Sequence, residues 1–284
     1  MPGSKPLISH TGGHIVVVAQ DGSPAALAAA GIAIQIAQSQ DLSVQGLYIV
    51  DETLVLSSYA NYRPELEMDR EPASRAELLT WFEKQGDAAL QLLETRCQAA
   101  GVPVTAELLA GGVSKMILRA SEQVRLLAIG RRGHSHGDDP DHLGQIFQTT
   151  AHRAHVPLLV GGDGARPVRC LLLAYDGSSR ARSALAWASL LQRTLPAEVV
   201  MAAVQENELQ SSSEWLAEAR VQLAGCKCLH RLGQPAAQIV AAAEEIQADL
   251  IVMGRYRHTA LLEWLVGSTV DRVLRGTQLP VLMA

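Results

Sequence analysis

The chain carries one pattern twice, and that duplication restricts its fold more than any other feature. "HIVVVAQDGSPAALAAAGIAIQIA" (14–37) and "RCLLLAYDGSSRARSALAWASLL" (169–191) share one order: an apolar run, then Asp-Gly-Ser, then an alanine-rich amphipathic stretch. Asp21-Gly22-Ser23 therefore corresponds to Asp176-Gly177-Ser178. Further along, "LLAGGVSKMILRASEQVRLLAIG" (108–130) and "HRLGQPAAQIVAAAEEIQADLIVMG" (230–254) both run strand, glycine turn, helix and apolar strand, ending on glycine. Each half then closes with a helical stretch and a proline-containing strand, "AHVPLLVGG" and "QLPVLMA". Such repetition at long period marks duplicated structural units. "GGDGARP" (161–167) is the linker between them.

Short apolar runs alternating with helical periodicity indicate βαβ units and a parallel sheet. Strands are expected near 14–19, 44–50, 104–109, 125–129 and 156–160, and again near 169–174, 198–204, 227–231, 249–253 and 279–283. The 284 residues divide into a first domain over 1–162 and a second over 163–284. Asp21 to Gly130 spans 109 positions and Asp176 to Gly254 spans 78, so the first half carries 31 extra residues. These fall near 52–85, where a surface loop leads into a long amphipathic helix through Leu90 and Leu93.

Composition narrows the function classes. A hydrophobic content of 48% gives each half a core, and plentiful alanine lets helices pack close to a sheet. The net charge of −5 lacks the basic face that a nucleic-acid partner needs. Cys97, Cys170, Cys226 and Cys228 form no CxxC pair and no zinc spacing, the usage of a reduced cytoplasmic protein. No stretch of eighteen apolar residues and no N-terminal apolar region point to a membrane or to export.

In an open parallel sheet, ligands sit beyond the carboxyl ends of the strands where the strand order reverses. If strands one and four of each half are neighbours, the Asp-Gly-Ser turn and the glycine loop after strand four lie side by side there. The aspartate can accept from an adenine amino group or a ribose hydroxyl. Glycines admit phosphate to backbone amides, and a helix start adds a favourable dipole. The second such loop, "VMGRYRHTALLEWLVGST" (252–269), offers Gly254 and then Gly267-Ser268-Thr269. A plainer account also fits: Asp-Gly-Ser is an ordinary turn with a helix cap, and the glycines end strands or start helices. The cluster His134, His136, Asp138, Asp139, Asp141 and His142 fits no zinc or calcium ligand spacing, so no metal site is expected. There is no GxxxxGK[ST] loop and no carboxylate pair beside a nucleophile, so the chain is not expected to be an enzyme, beyond slow incidental ATP hydrolysis.

Over nearly its whole length the chain resembles a tandem universal stress protein. The family's loop follows G-x2-G-x9-G-[ST]. Gly254, Gly267 and Ser268 fall on it, with Arg257 at the second glycine. In the first half Gly130 and Gly133 match, ten residues precede Gly144, and Gln145 stands where Ser or Thr is expected. The resemblance implies two Rossmann-like domains of the adenine nucleotide alpha hydrolase type, each a five-stranded parallel sheet sandwiched by helices. It implies a pseudo-two-fold with the terminal strands facing each other, leaving homodimerisation open. It also implies ATP or AMP, with or without Mg, as ligand and stress adaptation as the role. Asp21 and Asp176 then contact adenosine, and Ile49 and Val204 offer strand-two backbone to adenine. Gly130, Gly133 and Gly144 form the first phosphate loop; Gly254, Arg257, Gly267, Ser268 and Thr269 form the second. Arg257 either blocks phosphate or pairs with it, and Arg131 and Arg132 add charge to the first loop. Family members divide into nucleotide binders and non-binders, and the alternative is a degenerate scaffold acting through protein contacts or another small ligand.

Overall fold

The computed structural model describes residues 13–52, 55, 74–133, 143–164, 166–205, 213–223, 225–255 and 269–284. In the first half the strands are β1 (Ile15–Gln20), β2 (Ser43–Asp51), β3 (Val104–Gly111), β4 (Leu126–Gly130) and β5 (Leu158–Gly161). Its helices are α1 (Pro24–Ser39), α2 (Arg75–Ala99), α3 (Val113–Ala120) and α4 (Gln145–Arg153). The second half repeats the order with β6 (Cys170–Ala174), α5 (Ser179–Thr194), β7 (Glu198–Gln205), α6 (Ser213–Gln222) and β8 (Lys227–Leu232). It continues through α7 (Pro235–Glu245), β9 (Leu250–Met253), α8 (Thr269–Gly276) and β10 (Val281–Met283). All ten expected strands form. Those containing a proline start one residue after it, since Pro157 and Pro280 cannot donate to a ladder.

The two halves build one sheet, in the order β3-β2-β1-β4-β5-β10-β9-β6-β7-β8. Every pairing is parallel except the central one, where β5 and β10 run antiparallel with Leu159 opposite Leu282. The terminal strands thus join the halves by backbone hydrogen bonds, and a pseudo-two-fold passes between them. Inner strands such as β4 and β9 are buried on both faces, which is why they read as unbroken apolar runs. The edge strands β3 and β8 are only partly covered.

Alternate residues feed two cores, one on each face. Val16, Val18, Leu171 and Leu173 pack under α1, α2, α5 and α6. Val17, Leu127, Leu172 and Ile251 pack under α3, α4, α7 and α8. Alanine sets the spacing. A Cβ on Gly161 would stand 1.8 Å from the Ala25 carbonyl oxygen, so α1 lies almost against β5. Side chains add further ties between the halves. Arg125 sits 4.7 Å over the Trp187 ring, the Val168 amide donates to Gln35 Oε1 at 3.0 Å, and Ser39 meets Thr194 hydroxyl to hydroxyl at 3.3 Å. Ser39 and Thr194 end equivalent helices, so that last contact marks the pseudo-two-fold.

The long helix expected after the first-half insertion is α2, which starts on a Ser74 cap accepting from the Glu77 amide at 3.2 Å. Residues 53–54 and 56–73 of that insertion lie outside the described residues. Among the described residues, no helix is long and apolar enough to cross a membrane.

Candidate functional site

In each half the first and fourth strands are neighbours: β1 pairs β4, and β6 pairs β9. Strand order reverses there, and the carboxyl ends bring the two expected motifs together. The Asp-Gly-Ser segments are built identically. Asp21 Oδ1 accepts from the Ser23 amide at 2.9 Å, and Asp176 Oδ1 from the Ser178 amide at 3.0 Å. Gly22 and Gly177 have φ of 80° and 76°, the left-handed region that glycine enters without penalty. Ser23 and Ser178 cap α1 and α5, their hydroxyls accepting from Ala26 and Ala181 amides at 3.2 Å. The plain account, turn plus cap, is therefore fulfilled in both copies. It uses one oxygen of each carboxylate. Asp176 is exposed, whereas Asp21 is half-buried.

The glycines after strand four have a packing cause. A Cβ on Gly130 would lie 3.0 Å from the Ala26 amide nitrogen, and one on Gly254 would lie 2.9 Å from Arg180 Cβ. Each lets the helix that follows the Asp-Gly-Ser turn start against strand four. Gly133 differs: its φ lies outside the left-handed region, and the nearest atom to an added Cβ is Asp21 Oδ2 at 3.5 Å. Glycine is thus not required by backbone strain at the first-half counterpart of Arg257. Arg257 itself, with Gly267 and Ser268, lies outside the described residues. Thr269 opens α8.

The base of the first loop is closed on itself. The Gly144 amide donates to the Arg131 carbonyl at 3.1 Å, and the Ser23 hydroxyl donates to the Arg132 carbonyl at 3.4 Å. Gly144 caps α4 without a side-chain bond, since glycine has no side chain to accept one, and Gln145 follows where a hydroxyl residue is expected. Ile49 and Val204 stand at equivalent, partly buried positions near the ends of β2 and β7.

Of the two arginines expected to add charge to the first loop, Arg131 points away from it. Arg131 is 1% exposed and crosses to the second half, where Nη1 donates to Leu274 O at 2.8 Å and to Thr277 O, and Nη2 to Leu279 O at 2.7 Å. Burial lowers its guanidinium pKa to about 10. Arg132 Nη2 pairs with Asp163 at 2.8 Å. Carbonyls left without intrahelical partners at the end of α8 thus accept from Arg131.

Sequence reasoning also passed over Tyr48, which faces Gln20 across the β1–β2 register. Its ring packs beside Gly86 of α2, where an added Cβ would come within 2.6 Å of it. Burial, with the Asp21 charge adding to it, pushes its phenol up to about 12. The second half has Ala203 at this place. The signal was available in the register, since Tyr48 directly precedes Ile49. The His/Asp cluster 134–142 lies outside the described residues; among the described residues no three His, Cys, Asp or Glu side chains group to hold a metal.

Two doubly wound α/β units with matching polar turns at their switch points define a tandem of nucleotide-fold domains. The sequence model of the universal stress protein family matches residues 13–160 and 168–284. The chain belongs to the universal stress protein family. A curated universal stress protein from Synechocystis sp. is 29% identical over 162 residues, covering 55% of this chain and 56% of its own length. Another, from Methanocaldococcus jannaschii, is 29% identical over 147 residues, 51% of this chain and 79% of that protein. The alignment thus spans only about half of the Synechocystis relative's length. Among solved structures, a universal stress protein from Archaeoglobus fulgidus superposes with a TM-score of 0.73 at 20% identity, covering 95% of this chain and 98% of its own. A universal stress protein structure from Pseudomonas aeruginosa gives 0.61 at 17% identity over 95% and 92%. At such identities the structures share the fold.

Proposed function

We propose that this chain is a non-enzymatic binding protein of stress adaptation that takes ATP or AMP, with or without Mg, in at least one half, the second for preference. The observation that carries the reading is the exposed Asp176 carboxylate at the switch point, one oxygen fixed by its own turn and the other left to the site. In the sequence, α8 starts at Thr269 directly after the Gly267-Ser268 pair, an amide and hydroxyl set that suits a phosphate. The first half is the weaker site, because Gln145 stands where the second half has the hydroxyl of Ser268.

Calorimetry with ATP and with AMP tests this. Asp176→Ala is expected to weaken binding at least about tenfold, the scale of one lost hydrogen bond to a charged group. Asp21→Ala should matter less. Arg257→Gly, which restores the family's glycine, separates its two roles: tighter binding means the arginine obstructs phosphate, weaker binding means it pairs with phosphate. No heat from the unaltered protein at millimolar nucleotide sinks the proposal. That outcome leaves the second reading, a scaffold working through protein contacts or another ligand, which the closed base of the first loop favours.

A further inference from the structure

The residue that follows the strand-four glycine is arginine in both halves, Arg131 after Gly130 and Arg255 after Gly254. Both guanidinium groups cross the pseudo-two-fold to the same place. Arg131 holds Leu274 O and Thr277 O at the carboxyl end of α8, and Leu279 O just beyond. Arg255 holds Ala154 O, the residue capping the end of α4, and Val156 O at 2.8 Å. Each arginine thus supplies charged donors to the last carbonyls of the other half's final helix, where the helix dipole is negative. Their main chains are tied as well. Arg131 O accepts from the Gly144 amide at the start of α4, while the Arg255 amide donates to Ala284 O after β10 at 3.0 Å.

These links form a chain. Arg255 anchors the end of α4; α4 starts at the base of the first candidate loop; that base is fastened to Arg131; and Arg131 anchors the end of α8. The helices are short, 9 and 8 residues, or about 13 and 12 Å at 1.5 Å per residue. A pull at one end of so short a rod is transmitted to the other.

We propose that Arg131 and Arg255 couple the two candidate sites, so that each half's arginine sets the position of the helix start that faces the other half's site. The occupant is the adenine nucleotide of the preceding section, and this part of the inference rests on that reading. Coupling of this kind is reciprocal: whatever the first occupant does to the second site's affinity, the second does to the first.

Hydrogen exchange on the full chain tests it in two arms. Without nucleotide, Arg255→Met is expected to speed exchange at least about tenfold both near Ala154 and at the opposite end of α4, around Gly144 and Gln148. Arg255→Lys, which keeps one charged donor and preserves the fold should the methionine variant lose it, should fall between the two. Faster exchange confined to 154–156 overturns the coupling. With ATP, an Asp21→Ala background weakens the first site further, and at a concentration that fills the second site first, binding should slow exchange at the start of α4. Arg131→Met together with Arg255→Met in that background should abolish the slowing. Slowing that persists, or never occurs while ATP is bound, overturns the coupling. If ATP binds to no variant, the nucleotide reading falls alone, and the nucleotide-free arm still decides whether the arginines link the helix starts.

Discussion

At the scale of single residues, the two copies show how one position can carry a turn, a cap and a binding group together. Asp21 and Asp176 each fix their own Asx turn through Oδ1, so their conservation of form between copies follows from folding alone. What differs is the surroundings. Tyr48 sits in the first half, buried and near Asp21, with its phenol pushed up to about 12 against an ordinary 10. The sign follows directly: the unfolded chain loses this proton near pH 10 and the folded chain near 12, so between those values the folded state binds more protons. Its stabilising effect is fully present below about pH 10 and is lost as pH rises towards 12, by roughly 2–3 kcal/mol at most. Absorbance at 295 nm should show a late tyrosine phase with its midpoint near 12 that vanishes in Tyr48→Phe. Asp21→Asn should lower that midpoint yet keep it above 10, because burial is the larger cause. A Tyr48 phase at the ordinary value in the folded protein contradicts the site's geometry.

At the scale of elements, close packing of α1 on the sheet is what aligns the Asp-Gly-Ser turn with strand four. The helix is alanine-rich, and it lies on β5 so tightly that Gly161 has no room for a side chain. Gly161→Ala is expected to cost about 3 kcal/mol or more, since the obstructing atom is backbone and cannot rotate away. Gly164→Ala, with nothing within 4 Å, should cost far less and serves as the control. Urea unfolding midpoints distinguish the two, and equal midpoints refute the packing account. The elements themselves were legible: apolar runs of strand length, alternating with helical periodicity, identified all ten strands. The prolines in "AHVPLLV" and "QLPVLMA" shifted the last strand of each half inward, a local effect that only the hydrogen-bond ladder makes visible.

At the scale of the whole molecule, one sheet of ten strands holds both halves, and its centre is the antiparallel β5–β10 pair. Separating the halves therefore strips a ladder from each and leaves the Arg131 and Arg255 guanidinium groups without their carbonyl acceptors. An exposed inner strand invites pairing with a like strand. Each half expressed alone is expected to self-associate, the terminal strand of one copy taking the place of its missing partner. Light scattering after gel filtration checks this, and a stable monomeric half contradicts it.

By itself the sequence determined the duplication, the α/β class, the strand positions and the meeting of the Asp-Gly-Ser turn with the strand-four glycine. All of these rest on local periodicity and on a topology rule, and a chain carries both in its order of residues. Tertiary structure alone decided where the two post-glycine arginines go. Read in order, Arg131 stands beside Gly130 and Gly133 and looks like a phosphate ligand. In the folded chain its acceptors lie 143 to 148 positions away, across the pseudo-two-fold. A long flexible side chain finds its partner by what surrounds it after packing. The unsatisfied carbonyls of a helix end, brought near by the joining of β5 and β10, outcompete the site next door.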